Sequence, residues 1–158
     1  MFTLLRYMPV IAPAVTWSCL HGCAHRQRAA MLALACMWIV EKLTKQCLHG
    51  VHEFMRPRPC MHKVFTDRIM SGTCGFPSGH TAQATFCALV ACARYGHLVS
   101  VALVLTALSA FERIRMGCHT YDQCAAGVAL GACTYGLFLG LTHTLRPPLS
   151  TLCGVTCS

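Results

Sequence analysis

Five stretches of the chain carry no Asp, Glu, Lys or Arg: residues 7–25, 29–40, 69–93, 95–111 and 123–145. A helix that crosses a bilayer needs about 20 mainly apolar residues, within a range of about 17–25. The first, third and fifth stretches meet that length, although the third opens on a Ser/Gly/Pro loop and its apolar part begins near Thr81. The fourth is marginal, and the second gains length by continuing through Glu41–Cys47. The pattern predicts spans near 7–24, 30–48, 80–94, 97–112 and 122–142, the third and fourth short enough to require tilt or local thinning. The expected fold is all-α, an integral membrane helical bundle of five or six spans forming one domain over 1–158. Arg6 ahead of an apolar run resembles a signal peptide, but the segment reads as a retained span, weakened as a straight helix by Pro9 and Pro13. Pro147-Pro148 ends the last helix.

This layout has a geometric consequence. The third span leaves one face near residue 80, the chain turns at Arg94-Tyr95-Gly96-His97, and the fourth returns to the original face near 112. The second span arrives from the opposite side and delivers 50–59 to that same face. Three polar segments therefore meet at one rim, around 50–59, 77–80 and 112–122.

Composition agrees with a membrane bundle. Residues AVILMFWYC make up 55% of the chain and charged residues 11%, against about 25% charged in an ordinary soluble domain. So few polar residues cannot cover a small soluble domain, and so many apolar ones exclude disorder. The net charge of +8 arises from 13 Lys/Arg against 5 Asp/Glu. Its cations are concentrated at Arg56, Arg58, Lys63 and Arg68, and again at Arg113 and Arg115. Two such clusters between uncharged helices suit an anionic phosphate better than nucleic acid. Most of the 13 cysteines lie in apolar runs and read as reduced small hydrophobes. A disulfide among Cys60, Cys74 and Cys118 is compatible with loops facing an oxidising compartment. Trp17, Trp38 and Tyr95 read as interface aromatics.

The converging segments hold Arg56-Pro57-Arg58-Pro59, Pro77-Ser78-Gly79-His80, and Arg113 through His119 to Asp122-Gln123. Ser78 is a good helix N-cap, Gly79 allows close backbone approach, and open N–H groups at a helix start attract an anion. Arg58 and Arg113 offer bidentate bonds to phosphoryl oxygens. His80 and His119 supply an acid and a nucleophile near neutral pH. Such a site performs phosphoryl transfer without a metal or other cofactor. His21-x-Cys23-x-His25 is no metal site, because that spacing scatters side chains around a helix. No cysteine has an Arg six positions later, so a cysteine phosphatase is set aside.

These segments resemble the three motifs of the type 2 phosphatidic acid phosphatase / vanadium haloperoxidase superfamily: Lys-x6-Arg-Pro, Pro-Ser-Gly-His and Ser-Arg-x5-His-x3-Asp. The second is complete, Arg113 to His119 keeps the x5 spacing, and the resemblance covers roughly residues 45–142. The resemblance implies that His119 attacks phosphorus to form a phosphohistidine while His80 protonates the leaving oxygen. It implies that Arg58, Arg113, Ser78 and Gly79 hold the phosphoryl oxygens, with Arg56 in the same string. The implied partners are a lipid phosphate substrate and the bilayer. A multi-pass location follows, in the endoplasmic reticulum membrane of a eukaryote or the plasma or inner membrane otherwise. A haloperoxidase is disfavoured in so small and apolar a chain.

Three positions depart from the motifs. Glu112 stands where the family has Ser. The family's Asp, which orients the nucleophilic His, falls on Gln123, with Asp122 one residue early. The His-Thr-x-x-Gln form and the Pro-Arg-Pro-Cys string are similar to dolichyl-diphosphatase-like members, which implies a polyprenyl diphosphate substrate, with phosphatidate-type monophosphates close behind. The first-motif lysine is missing: counting back from Arg58 reaches Val51, and from Arg56 reaches His49, which can partly replace it when protonated. Lys45 precedes Arg56 by a distance of about 16 Å along a continuous helix, too long a reach. These departures motivate a second reading, a catalytically silent relative that binds anionic lipid or a partner protein.

Overall fold

A computed structural model of the chain describes residues 8–55, 74–96 and 99–146. Among these residues there are five α-helices: α1 Met8–Cys19, α2 Ala24–Cys47, α3 Gly79–Tyr95, α4 Val99–Arg115 and α5 Tyr121–Thr144. A short 3-10 turn, His52–Phe54, follows α2. The described residues hold no β-strand, only an isolated antiparallel bridge between Met55 and Cys74. Each expected span has its helix, and α1 runs through Pro13 without a break. Among the described residues one helix, α5, is long and apolar enough by itself to cross a membrane. The other four fall short for different reasons: α3 and α4 have 17 residues each, α1 has 12, and α2 carries charges along its length.

Helix α3 is the centre of the bundle, packed against α1, α4 and α5, while α2 packs mainly on α5. The apolar core lies away from the Gly79 end of α3. It joins Ala29, Ala30 and Ala33 of α2 to Phe86 and Val90 of α3 and Phe138 of α5. Phe86 and Phe138 meet edge to face at 6.0 Å, the favourable geometry for opposed ring quadrupoles. The other end is polar and equally buried, with Ser78, His80, Glu112, Arg113, His119 and Gln123 all below 8% exposure.

The outer surface is the reverse of a soluble protein's. Trp38, Ile39, Val40 and Leu43 of α2 are about half exposed, as are Leu103, Val104 and Phe111 of α4. A contiguous apolar exterior around a buried polar end is stable where the surroundings are themselves apolar.

Two glycines let α5 approach α3 closely. A Cβ on Gly127 would lie 2.5 Å from the Ser78 carbonyl oxygen and 3.1 Å from Thr81 Cβ. One on Gly131 would strike the Ala82 carbonyl oxygen and lie 2.7 Å from Thr85 Cβ. Backbone atoms cannot rotate aside as a side-chain tip can, so the helices must separate if either glycine gains a methyl. Small residues four apart are the usual means of bringing helix backbones together in apolar surroundings. Gly136, on the same helix, has nothing within 4 Å of its added Cβ.

Gly131→Ala is therefore expected to destabilise the bundle by about 1–3 kcal/mol. Gly136→Ala should be neutral or stabilising by about 1 kcal/mol, since alanine is the better helix former. Thermal unfolding of the two variants in the same detergent checks the contrast.

Candidate active site

The end of α4 is built to return the chain upon itself. Arg113 and Arg115 occupy its last turn, where cations complement the helix dipole. Past Met116 the backbone enters the left-handed region at Gly117, with φ of 67°. Gly117 N–H then donates to Ile114 O at 2.9 Å, and Cys118 N–H donates to Arg113 O at 3.0 Å. This pair of bonds is the Schellman closure, which needs a glycine at that position. His119 N–H also donates to Arg113 O, at 3.3 Å. The nucleophile candidate is thus tied to the backbone of the cation candidate, and both side chains are buried. Arg115 points outward and is exposed.

Helix α5 begins immediately afterwards with a capping box. Thr120 Oγ1 accepts from Gln123 N–H, and Gln123 Oε1 accepts from Thr120 N–H, each at 3.3 Å. Gln123 Oε1 also lies 3.2 Å from His119 Nδ1. Its other amide atom, Nε2, donates to Phe54 O at 3.3 Å and Met55 O at 3.0 Å. Two carbonyl acceptors on Nε2 fix which way the amide points, so Oε1 faces the imidazole. An acceptor at Nδ1 requires the proton there, so in the neutral ring of His119 it is Nε2 that carries the lone pair. Asp122, the alternative orienting group, is exposed at the outer side of α5.

The Pro-Ser-Gly-His segment is attached to the same residue. Ser78 N–H donates to the Gln123 carbonyl oxygen at 3.0 Å. Ser78 occupies the N-cap position of α3, but its hydroxyl makes no cap bond to the helix. It pairs instead with Thr81 Oγ1 at 3.0 Å. Ser78 is the N-cap residue as expected, but without a side-chain cap bond, because Thr81 takes its hydroxyl and α5 takes its N–H. The first turn of α3, Gly79-His80-Thr81, is left without a side-chain cap.

The approach to the first motif is held by the same cluster. Gly75 N–H donates to Phe54 O at 2.8 Å, and the rings of Phe54 and Phe76 meet at a tilt of 56° with centroids 4.9 Å apart. Residues 54–55, 74–78 and 119–123 thus form one hydrogen-bonded group, the convergence expected of the three polar segments. Arg56 and Arg58 lie outside the described residues. Cys118 is disulfide-bonded, Cys74 is a free buried thiol, and Cys60 lies outside the described residues.

The structure places His49 and Lys45, both near the missing first-motif lysine in sequence, in different surroundings. His49 is exposed beyond the end of α2. Lys45 is half-buried and donates to Glu41 Oε1, and the buried Glu41 rests directly against Gly79. The distance argument against Lys45 assumed a helix continuing to Arg56. Helix α2 stops at Cys47, Gly50 turns the backbone at φ of 91°, and a 3-10 turn follows, so the separation along sequence no longer measures distance. The signal for both residues was present in the burial pattern to be expected of α2. Ala29, Ala33, Met37 and Glu41 are buried four apart, and Lys45 is the next step.

The sequence relationship covers the last four of the five helices. A family model of the PAP2 superfamily, the type 2 phosphatidic acid phosphatases, matches residues 29–147, from the first turns of α2 past the end of α5. The chain belongs to that superfamily, and phosphatase chemistry on phosphate esters comes with the membership. Compared with curated proteins and with solved structures, the chain matches none of them.

Gln123 generates a sharp prediction. Gln123→Glu restores the family's carboxylate, yet it places an oxygen against Phe54 O and Met55 O where donors are needed. It should lower stability by about 1–3 kcal/mol and should not raise kcat. Gln123→Ala should lower kcat by about 10²-fold with a small change in KM. Steady-state kinetics and melting temperatures of both variants test the assignment.

Proposed function

We propose that the protein is an integral, multi-pass membrane phosphatase that hydrolyses a lipid phosphate or a polyprenyl diphosphate of the dolichyl type. The observation that carries this reading is the hydrogen bond between His119 Nδ1 and Gln123 Oε1, with the amide held in one orientation. It selects the tautomer of the neutral ring in which Nε2 carries the attacking lone pair.

The mechanism has two displacements. Nε2 of His119 attacks phosphorus, the bond from phosphorus to the leaving oxygen breaks, and His80 gives that oxygen its proton. His80 then takes a proton from water, whose oxygen attacks the phosphohistidine, releasing phosphate and restoring His119. Gln123 Oε1 accepts the Nδ1 hydrogen throughout, stabilising the developing positive ring less than a carboxylate does. Arg113, the first turn of α3 and the Arg56/Arg58 string act on the equatorial oxygens, where positioned cations and N–H groups supply most of the catalysis in phosphoryl transfer. No step calls for a metal.

The apolar exterior supports a lipid substrate. A headgroup at the polar end of the bundle and a tail along the half-exposed faces of α2 and α4 together match the distribution of burial. The choice of dolichyl-type diphosphate over phosphatidate rests on the Gln123 and Pro-Arg-Pro-Cys likeness.

Purified protein in detergent with EDTA is expected to release phosphate from dolichyl diphosphate faster than from phosphatidate. His119→Ala should reduce release by at least about 10³-fold. The kcat/KM profile should be bell-shaped in pH, because His119 must be neutral and His80 protonated. Release that persists in His119→Ala, or a rate that climbs steadily to high pH, overturns the assignment. Lipid-phosphate binding without any release identifies the silent binding relative.

A further inference from the structure

The buried face of α2 changes character along its length. Ala29, Ala30 and Ala33 pack into the apolar core, and Met37 continues the line. One and two turns later the same face presents Glu41 and Lys45, ion-paired to each other and shielded from solvent. Its acidic member meets α3 at Gly79. A Cβ at that position would lie 2.5 Å from Glu41 Cδ and closer still to both carboxylate oxygens. Glycine at 79 thus makes room for the Glu41 carboxylate as well as for a phosphoryl group.

A buried ion pair is a poor means of stabilising a fold, because desolvation offsets most of its attraction. An apolar pair would serve packing at least as well on this face. The location indicates a different use. The first turn of α3 has no side-chain cap, and the positive end of a helix dipole favours an anion there. Glu41 supplies a fixed anion beside that turn and, through it, a fixed ammonium. An ammonium has three donors, and Glu41 Oε1 engages one of them.

Resting on the phosphatase reading above, we infer that Glu41 is a positioning residue of the phosphate site, anchoring Lys45 beside Gly79 so that its ammonium meets the substrate phosphate. The cation absent from the usual first-motif spacing is thereby supplied from the last turn of α2. Glu41 touches neither phosphorus nor the leaving group and acts through Lys45. Exposed His49 has no part in it.

The test uses the full chain in detergent, with kinetics on both lipids and with inorganic phosphate as a probe, both as competitive inhibitor and by direct calorimetric binding. Lys45→Ala is expected to lower kcat/KM by about 10²-fold and to weaken phosphate binding about tenfold, with Lys45→Arg restoring most of both. Glu41→Gln, which keeps shape and removes charge, should lower kcat/KM about tenfold. Combined with Lys45→Ala it should cost nothing further, because Glu41 has no other route to the substrate. Wild-type phosphate affinity in Lys45→Ala, or additive losses in the double variant, overturns the inference while leaving a His119-dependent phosphatase standing. A wild type with no His119-dependent release fails the phosphatase reading instead. Phosphate binding by the Lys45 and Glu41 variants still decides the positioning role in that case. Lys45→Arg keeps the charge and Glu41→Gln keeps the shape, so the comparison survives if Lys45→Ala does not fold.

Discussion

One buried amide holds the site together. Gln123 accepts at its backbone oxygen from Ser78, accepts at Oε1 from Thr120 and faces His119 there, and donates at Nε2 to Phe54 and Met55. Segments separated by up to 69 residues in sequence therefore share a single side chain. A carboxylate has no donors, so it can orient an imidazole but cannot also bind the carbonyls of 54 and 55. Where the superfamily pattern has Asp, this chain trades some stabilisation of imidazolium for a physical link to the first-motif segment. The exchange is intelligible because both functions fall on the same four-atom group.

That link depends on the approach of α5 to α3. Gly127 and Gly131 bring the helix backbones close enough for Ser78 N–H to reach Gln123 O. The remaining polarity of the bundle follows from the same arrangement. Phosphate chemistry needs cations, imidazoles and fixed N–H groups in a water-poor cavity, and these occupy one end, while the edge-to-face pair of Phe86 and Phe138 closes the other. Outside both ends the helices turn apolar side chains outward. Burying polar groups inside and leaving Trp38 or Leu103 exposed is costly in water and natural in lipid.

Much of this was legible in sequence. Uninterrupted apolar stretches located all five helices, because in a chain this poor in charge the few Asp, Glu, Lys and Arg residues fall near helix ends. The spacing of Arg113 and His119 and the intact Pro-Ser-Gly-His segment marked the site. What escaped was tertiary in origin. Ser78 has the chemistry of a cap, yet Thr81 three residues later competes for its hydroxyl. The donors of Gln123 meet carbonyls whose position no local pattern records. The continuous helix assumed between Lys45 and Arg56 ends at Cys47, and Gly50 turns the backbone, so residues counted along it do not measure distance in space. The step-of-four burial through Glu41 shows that helix faces, rather than counted residues, were the better guide there.

The turn at Gly117 has a consequence for how such a site can vary. Arg113 and His119 are separated by the last residues of a helix, one left-handed residue and two N–H groups sharing a carbonyl. That assembly is a ruler. Beside it a side chain differs, as Glu112 does, but the length of the interval does not. One residue more or less would rotate the imidazole away from the guanidinium by a large fraction of a helical turn. The interval of five residues is thus a length set by helix termination itself, which explains why a chain that departs from its family at the lysine, the serine and the aspartate still keeps it.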